Sequence, residues 1–207
     1  ATMELHRRNK GFSSGVSYWM LNDCWPAFGW ALIDYYALPK TGWYGFRHSA
    51  APVKASFDAN GNIYICNDSL NVAEGRLALY RVTENSCETV TETAFRQAAN
   101  TSSEFLRNET VVKNSVYVCD IKTSDGADRA VWYPNRLADT GIKSGSVEIL
   151  SKTEESITLM AHGYVTAVML DGESCVFEDN CFAMLDGEIR TVGITGNQCA
   201  EISVGII

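Results

Sequence analysis

The spacing of apolar and polar positions changes once along this chain, close to residue 52. Ahead of that point the apolar residues come in blocks. Ala1 to Lys10 has the make-up of a helix's closing turns, with Arg7, Arg8 and Lys10 near the C-terminal end and Gly11 as the stop. Val16 to Leu21 is apolar on both faces and predicts a short buried strand, which opens into the loop Asn22-Asp23-Cys24-Trp25-Pro26. Pro39 then opens a helix that puts Trp43, Phe46 and Ala50 on one face and ends at Pro52; Gly42 and Gly45 each weaken it by roughly 1 kcal/mol against alanine. Beyond residue 52 the rhythm is alternation with period two. Val53–Phe57 and Ile63–Cys66 flank Asp58-Ala-Asn-Gly61, whose Asn60-Gly61 pair is a strong hairpin signal. Further strands are predicted at 76–83, 88–95, 111–121 and 130–133, then at 147–150, 156–161, 165–170, 175–177, 187–194 and 200–204.

Two sets of short strands, each the size of an immunoglobulin-like sandwich, make the fold class mainly β. The polar stretch Asn135 to Gly145, with two glycines, separates them. The expected domains are therefore 52–140 and 141–207, both immunoglobulin-like β-sandwiches. Residues 1–51 have a different logic, because a buried strand that ends directly in a polar and aromatic loop is the grammar of a (β/α)8 barrel. A complete barrel needs about 250 residues. The expectation is the last helix-strand-helix piece of one, belonging to a larger protein.

Composition narrows the function classes. Hydrophobic residues make up 46% and charged residues 20% of the chain, enough for packed cores. No apolar run approaches the roughly 20 residues of a membrane span, and a net charge of −8 without clustered Lys and Arg argues against nucleic acid. The seven cysteines, at 24, 66, 87, 119, 175, 181 and 199, include no Cys-x-x-Cys pair and no histidine at zinc spacing, so no metal site and no cofactor is expected. Their odd number suggests reduced thiols and a cytoplasmic setting, with secretion left open. Asn-x-Ser/Thr triplets begin at Asn67, Asn100 and Asn108, close to chance for this composition.

The chemistry-bearing candidates cluster in the first loop. Trp19 is either core packing or a flat apolar floor for a ligand, and Trp25 is either a rim contact or a loop anchor. Asn22 is the best polar candidate for a ligand hydroxyl. Asp23 reads either as a carboxylate capping nearby backbone amides or as a hydroxyl contact. Glu4 and Asp34 read as surface or capping charges, Trp30 and Trp43 as packing, and His6, His48 and His162 as isolated histidines. A binding module built from the sandwiches alone is the competing class. It would need a row of exposed aromatics, and Trp132 is the only tryptophan after residue 50.

Trp19-Met-Leu-Asn-Asp-Cys-Trp-Pro26, continuing to Ile33-Asp-Tyr-Tyr36 and Pro39-Lys40, resembles the eighth barrel strand and following segment of β-mannosidases in glycoside hydrolase family 2. Asp179-Asn-Cys-Phe182-Ala-Met-Leu185-Asp-Gly187-Glu188 resembles a motif of the last sandwich in the same family. Met20, where the family often has Gln, and Ala37-Leu38, where Gly-Arg is common, depart from it. The resemblance implies a parent enzyme that hydrolyses terminal non-reducing β-mannosides with retention, using two carboxyl groups about 5–5.5 Å apart. Both belong to earlier barrel strands, the acid/base in an Asn-Glu motif and the nucleophile as a Glu on the seventh strand, and neither motif is expected within this chain. The chain alone is thus expected to be inactive, to meet β-mannoside oligosaccharides only as part of the complete enzyme, and to self-associate through residues 1–50 if their apolar surface stays bare. Sister activities in the family are β-galactosidase, β-glucuronidase and exo-β-glucosaminidase.

Overall fold

The computed structural model describes residues 2–196 and 201–206. Its elements in chain order are α1 (Thr2–Arg8), α2 (Thr41–Ser49), β1 (Val53–Phe57), β2 (Ile63–Asn67), β3 (Ala73–Val82), β4 (Cys87–Gln97), β5 (Thr101–Leu106), β6 (Val116–Thr123) and β7 (Gly126–Trp132). A 3-10 turn at Leu137–Asp139 precedes β8 (Ser146–Lys152), β9 (Ser156–His162), β10 (Val165–Asp171), β11 (Val176–Phe177), β12 (Phe182–Met184), β13 (Ile189–Thr195) and β14 (Ser203–Ile206). The chain divides into two compact units, Ala1–Ser17 with His48–Ile142 and Tyr18–Arg47 with Lys143–Ile207.

In the first unit a three-stranded sheet ordered β1-β2-β5 packs on a four-stranded sheet ordered β4-β3-β6-β7. Alternation sends Ala55, Phe57, Ile63 and Ile65 from one sheet and Leu77, Leu79, Cys119 and Ile121 from the other into one core. The β1–β2 hairpin forms where Asn60-Gly61 predicts it, with Phe57 opposite Ile63. Asp58 closes the turn by accepting from the amides of Asn60 at 2.9 Å and Asn62 at 2.8 Å. Gly61 has φ +83° and lies under the Trp132 ring, where a Cβ would fall 2.4 Å from a ring carbon. Gly61→Ala should therefore lower stability by about 1–3 kcal/mol, the usual cost of overpacking, to be read as a shift in urea midpoint. An unchanged midpoint would mean that Trp132 yields freely.

Trp132 itself stacks on Phe57 at 6.0 Å and lies 5.6 Å from Tyr117, so it is a core residue and not an exposed sugar platform. The same unit buries an ionic network. Lys54, 2% exposed, donates to Asp128 at 2.8 Å and has Glu4 of α1 at 3.6 Å. Glu4, expected at the surface, is thus half of an ion pair. Arg7 of α1 donates to the carbonyls of Ser49 at 2.6 Å and Ala51 at 2.7 Å, and Lys10 reaches Asp68 at 2.5 Å. The short helix is held to the first sandwich by charge and backbone acceptors, since none of its residues is buried.

The second unit repeats the plan with sheets β12-β10-β14 and β11-β13-β9-β8. Ile157, Leu159, Val192 and Ile194 face Val165, Val168, Leu170, Phe182 and Met184 across its core. The Asp179 to Glu188 motif builds a corner of this sandwich. Asn180 is buried and clamps Leu170 from both sides, accepting from its amide at 2.8 Å and donating to its carbonyl at 2.7 Å. Phe182 enters the core under the Arg190 guanidinium, which also pairs with Asp179, and Glu188 accepts from the Leu185 amide.

Several expectations need correction. Val16 to Leu21 is not a strand, and Val16, Tyr18, Trp19 and Leu21 are exposed. Strand geometry requires a ladder partner, and no strand among the described residues runs beside this segment. The second helix buries Tyr44, while Ala50 lies outside it and is exposed. The strands β5 and β12 were not expected. The strand expected from Ala200 starts outside the described residues, as does Cys199. Cys175 is disulfide-bonded, so a fully reduced set of thiols does not hold; Cys24, Cys66, Cys87, Cys119 and Cys181 are free.

Candidate functional site

Residues 18 to 40 form an irregular, tightly tied segment in the second unit. Leu21 accepts at its carbonyl from the amides of Leu32 at 3.1 Å and Ile33 at 2.9 Å, and the Asp23 amide donates back to Ile33 at 3.0 Å. Lys40 donates its amide to Leu32 at 2.8 Å. Two apolar residues, Ala31 and Leu32, are buried beneath this lattice and give the loop a small core of its own.

The polar centre of the segment is an ion pair. Asp23, 7% exposed, accepts from the Lys40 ammonium, which also donates to the Gly29 carbonyl at 3.3 Å. A Cβ at Gly29 would stand 2.7 Å from an Asp23 oxygen, so any other residue there would push the carboxylate aside. Asp23, Gly29 and Lys40 therefore pin both ends of the Cys24–Phe28 bulge. Asp34 does the backbone capping, accepting from the amides of Tyr36 at 2.9 Å and Leu38 at 2.8 Å. That role had been considered for Asp23, whose carboxylate is instead held by a cation.

The aromatic side chains stand outward from this frame. Trp19 is 81% exposed and Trp25 68%, and Trp30, Tyr35 and Tyr36 are exposed as well. Tyr18 steadies the arc by donating to the Trp30 carbonyl at 2.7 Å and meeting Phe46 edge-on at 5.9 Å. Asn22 is exposed and turns its amide toward the Asp23 carbonyl at 3.3 Å. Of the four candidates, Trp19, Asn22 and Trp25 present surface to solvent, and Asp23 lies below as a support. Sequence reading gave Lys40 no role, although it is the only Lys or Arg between Lys10 and Arg47.

Elsewhere in the same unit the Tyr44 hydroxyl donates to the Phe177 carbonyl at 3.3 Å, and Arg47 donates to the Glu178 carbonyl. Burial pushes the Tyr44 phenol above its ordinary range. His162 pairs with Glu148 at 2.9 Å and His6 meets Ser13 at 2.8 Å, both remote from the aromatic arc in sequence and engaged locally. Among the described residues no group of three or more His, Cys, Asp or Glu is placed to hold a metal ion. No described helix is long and apolar enough to cross a membrane. The only Asn-Glu dipeptide, Asn108-Glu109, follows β5 in the first sandwich.

What this arrangement offers chemically is a set of exposed indole and phenol faces on a loop whose two carboxylates, Asp23 and Asp34, hold a cation and backbone amides. Residues 137–203 match the immunoglobulin-fold domain of mannosidases, Ig_mannosidase. A β-mannosidase B from Thermothelomyces thermophilus is 21% identical over 89% of this chain and 26% of its own length. Over most of its length the chain is similar to part of a β-mannosidase. An exo-β-D-glucosaminidase from Arthroderma benhamiae is 38% identical over 58 residues, covering 28% of this chain and 7% of that protein. In fold, a crystal structure of a β-D-mannosidase from Dictyoglomus thermophilum matches 99% of this chain and 27% of its own, with a TM-score of 0.83 and 19% identity. The chain thus spans about a quarter of the length of the relatives that match most of it.

Proposed function

We propose that this chain serves as the C-terminal part of a retaining exo-β-mannosidase, supplying one aromatic wall of the sugar subsite and two supporting sandwiches. The observation that carries this reading is the exposure of Trp19, Trp25 and Trp30 on one loop pinned by Asp23 and Lys40. A hexose has one C–H face that an indole can cover while Asn22 reaches its hydroxyls. The catalytic carboxyl groups belong to the remainder of the enzyme, because both carboxylates of this loop are engaged. Support from the sandwiches fits their make-up, since their single tryptophan, Trp132, is inside.

The purified 207-residue chain is expected to release no aryl alcohol from an aryl β-mannoside above buffer background. The complete polypeptide should favour the β-mannoside over the matching β-glucosaminide, β-galactoside and β-glucuronide. Turnover by the short chain alone would defeat the division of labour, and preference for another sugar in the complete enzyme would defeat the specificity. The strongest competitor is exo-β-glucosaminidase, because one such enzyme is 38% identical to this chain over 58 residues.

A further inference from the structure

The three Asn-x-Ser/Thr triplets fare differently once folded, and the structure assigns Asn100 alone as the site of N-linked glycosylation. Such a glycan is bulky and is tolerated only where the acceptor amide faces solvent. Asn67 is fully buried. Its amide nitrogen donates to the carbonyls of Asn71 at 2.8 Å, Ala98 at 3.0 Å and Gln97 at 3.3 Å. Its oxygen accepts from the amide of Ser69 at 2.9 Å and from the Ser69 hydroxyl at 2.7 Å, so the hydroxyl of the triplet is itself spent on the turn. A sugar on that nitrogen would take a donor from the three carbonyls it serves and drive a ring into the closed space around Asn67. Asn108 keeps its side-chain nitrogen out of solvent, which rules it out on the same ground.

Asn100 differs in each respect. It is exposed at the tip of the three-residue turn Ala98-Ala99-Asn100 between β4 and β5, with φ +52°. Asn tolerates that left-handed backbone better than most residues, so the exposed turn suits it. Its own amide is anchored to the Ser69 carbonyl at 2.9 Å, so the turn stays in place whatever the side chain carries. Thr101 and Ser102, the rest of the triplet, make their bonds to Ala98 and Cys66 and draw nothing from the Asn100 side chain. In the transfer, the Asn100 amide nitrogen bonds to the anomeric carbon of a lipid-pyrophosphate oligosaccharide. The bond from that carbon to the pyrophosphate oxygen breaks, lipid pyrophosphate leaves, and the amide gives up one proton. The reaction needs a compartment that carries the transferase, and the bridge at Cys175 persists in the same oxidising surroundings.

The test is secretion of the full chain from a yeast host behind a cleavable leader, recovery of the folded fraction by sizing, and enzymatic release of glycans in heavy-oxygen water before peptide mass spectrometry. Label is expected at residue 100 and absent from 67 and 108. Asn100→Gln and, independently, Ser102→Ala should each abolish the glycan-dependent mobility shift, while Asn67→Gln should leave it intact in whatever fraction is secreted. An unlabelled Asn100, or label at Asn67 or Asn108 in folded protein, overturns the assignment.

Discussion

Replacing Lys54 with methionine should cost about 3–5 kcal/mol of stability near neutral pH, the range measured when one partner of a buried ion pair is removed. Most of that loss should vanish in acid. Asp128 already has its carboxyl held above the ordinary range, because burial disfavours its charge more than Lys54 restores it. Without Lys54 the carboxyl must climb further, with Glu4, His48 and the Arg129 backbone beside the network. A carboxyl whose folded pKa lies above its unfolded value favours the folded state fully below the unfolded value, near pH 4, and loses that contribution as pH rises through the folded value. The penalty of Lys54→Met relative to the parent chain should therefore be small at about pH 4 and grow toward neutrality. Adding Asp128→Asn to Lys54→Met should flatten this pH dependence and recover much of the loss. Urea unfolding of the parent, single and double variants at several pH values reads all three statements; a single-variant penalty that is equal at both ends of the range would refute them.

The sandwiches were legible because one physical signal, alternation with period two, controls them. Ile63 and Ile65, or Ile157 and Leu159, announce a buried face, and Asn60-Gly61 announces the turn that sets the register. The strand β5 escaped because Thr101-Ser-Ser-Glu104 has no apolar face to show; it is held by its ladder to β2 and by Phe105 and Leu106 packing on the core at its far end. The buried Lys54 escaped for the opposite reason. A charged residue within an alternating strand reads as an outward position, and only the approach of α1 and β7 reveals the carboxylates that make burial bearable.

The first loop was misread at the level of secondary structure and still read usefully at the level of chemistry. Val16 to Leu21 has the hydrophobicity of a strand, but hydrophobicity is only half of what a strand requires. The other half is a neighbour offering backbone donors and acceptors, which lies outside any local pattern. The aromatic residues stay where the motif puts them, now as exposed faces on an irregular loop. The ion pair beneath them links positions 23 and 40, too far apart for periodicity to connect. Counting charges would have found it, since Asp23, Asp34 and Lys40 are the only charged residues between Lys10 and Arg47.

That exposure sharpens what Trp19 should do. In the 207-residue chain Trp19→Ala removes a side chain that is 81% exposed, so stability should move by no more than about 0.5 kcal/mol, as for an ordinary surface change. In the complete enzyme the same substitution should lower kcat/KM for an aryl β-mannoside by about 100-fold, the scale of loss when a bound ring is misplaced by about 1 Å. The fall should be shared by kcat and not confined to KM, because the indole sets the ring's position at the moment of attack and not merely its retention. If Trp19 instead packs inside the complete enzyme, truncation should cost it about 3–5 kcal/mol and a matching drop in Tm, while the molecules that remain folded keep normal kinetics. Measuring Tm and kcat/KM on one preparation, with Trp19→Phe alongside, separates the two outcomes. A phenylalanine that restores most of the activity without changing Tm marks a stacking face; one that restores Tm and activity together marks a packed core, and the subsite reading then falls.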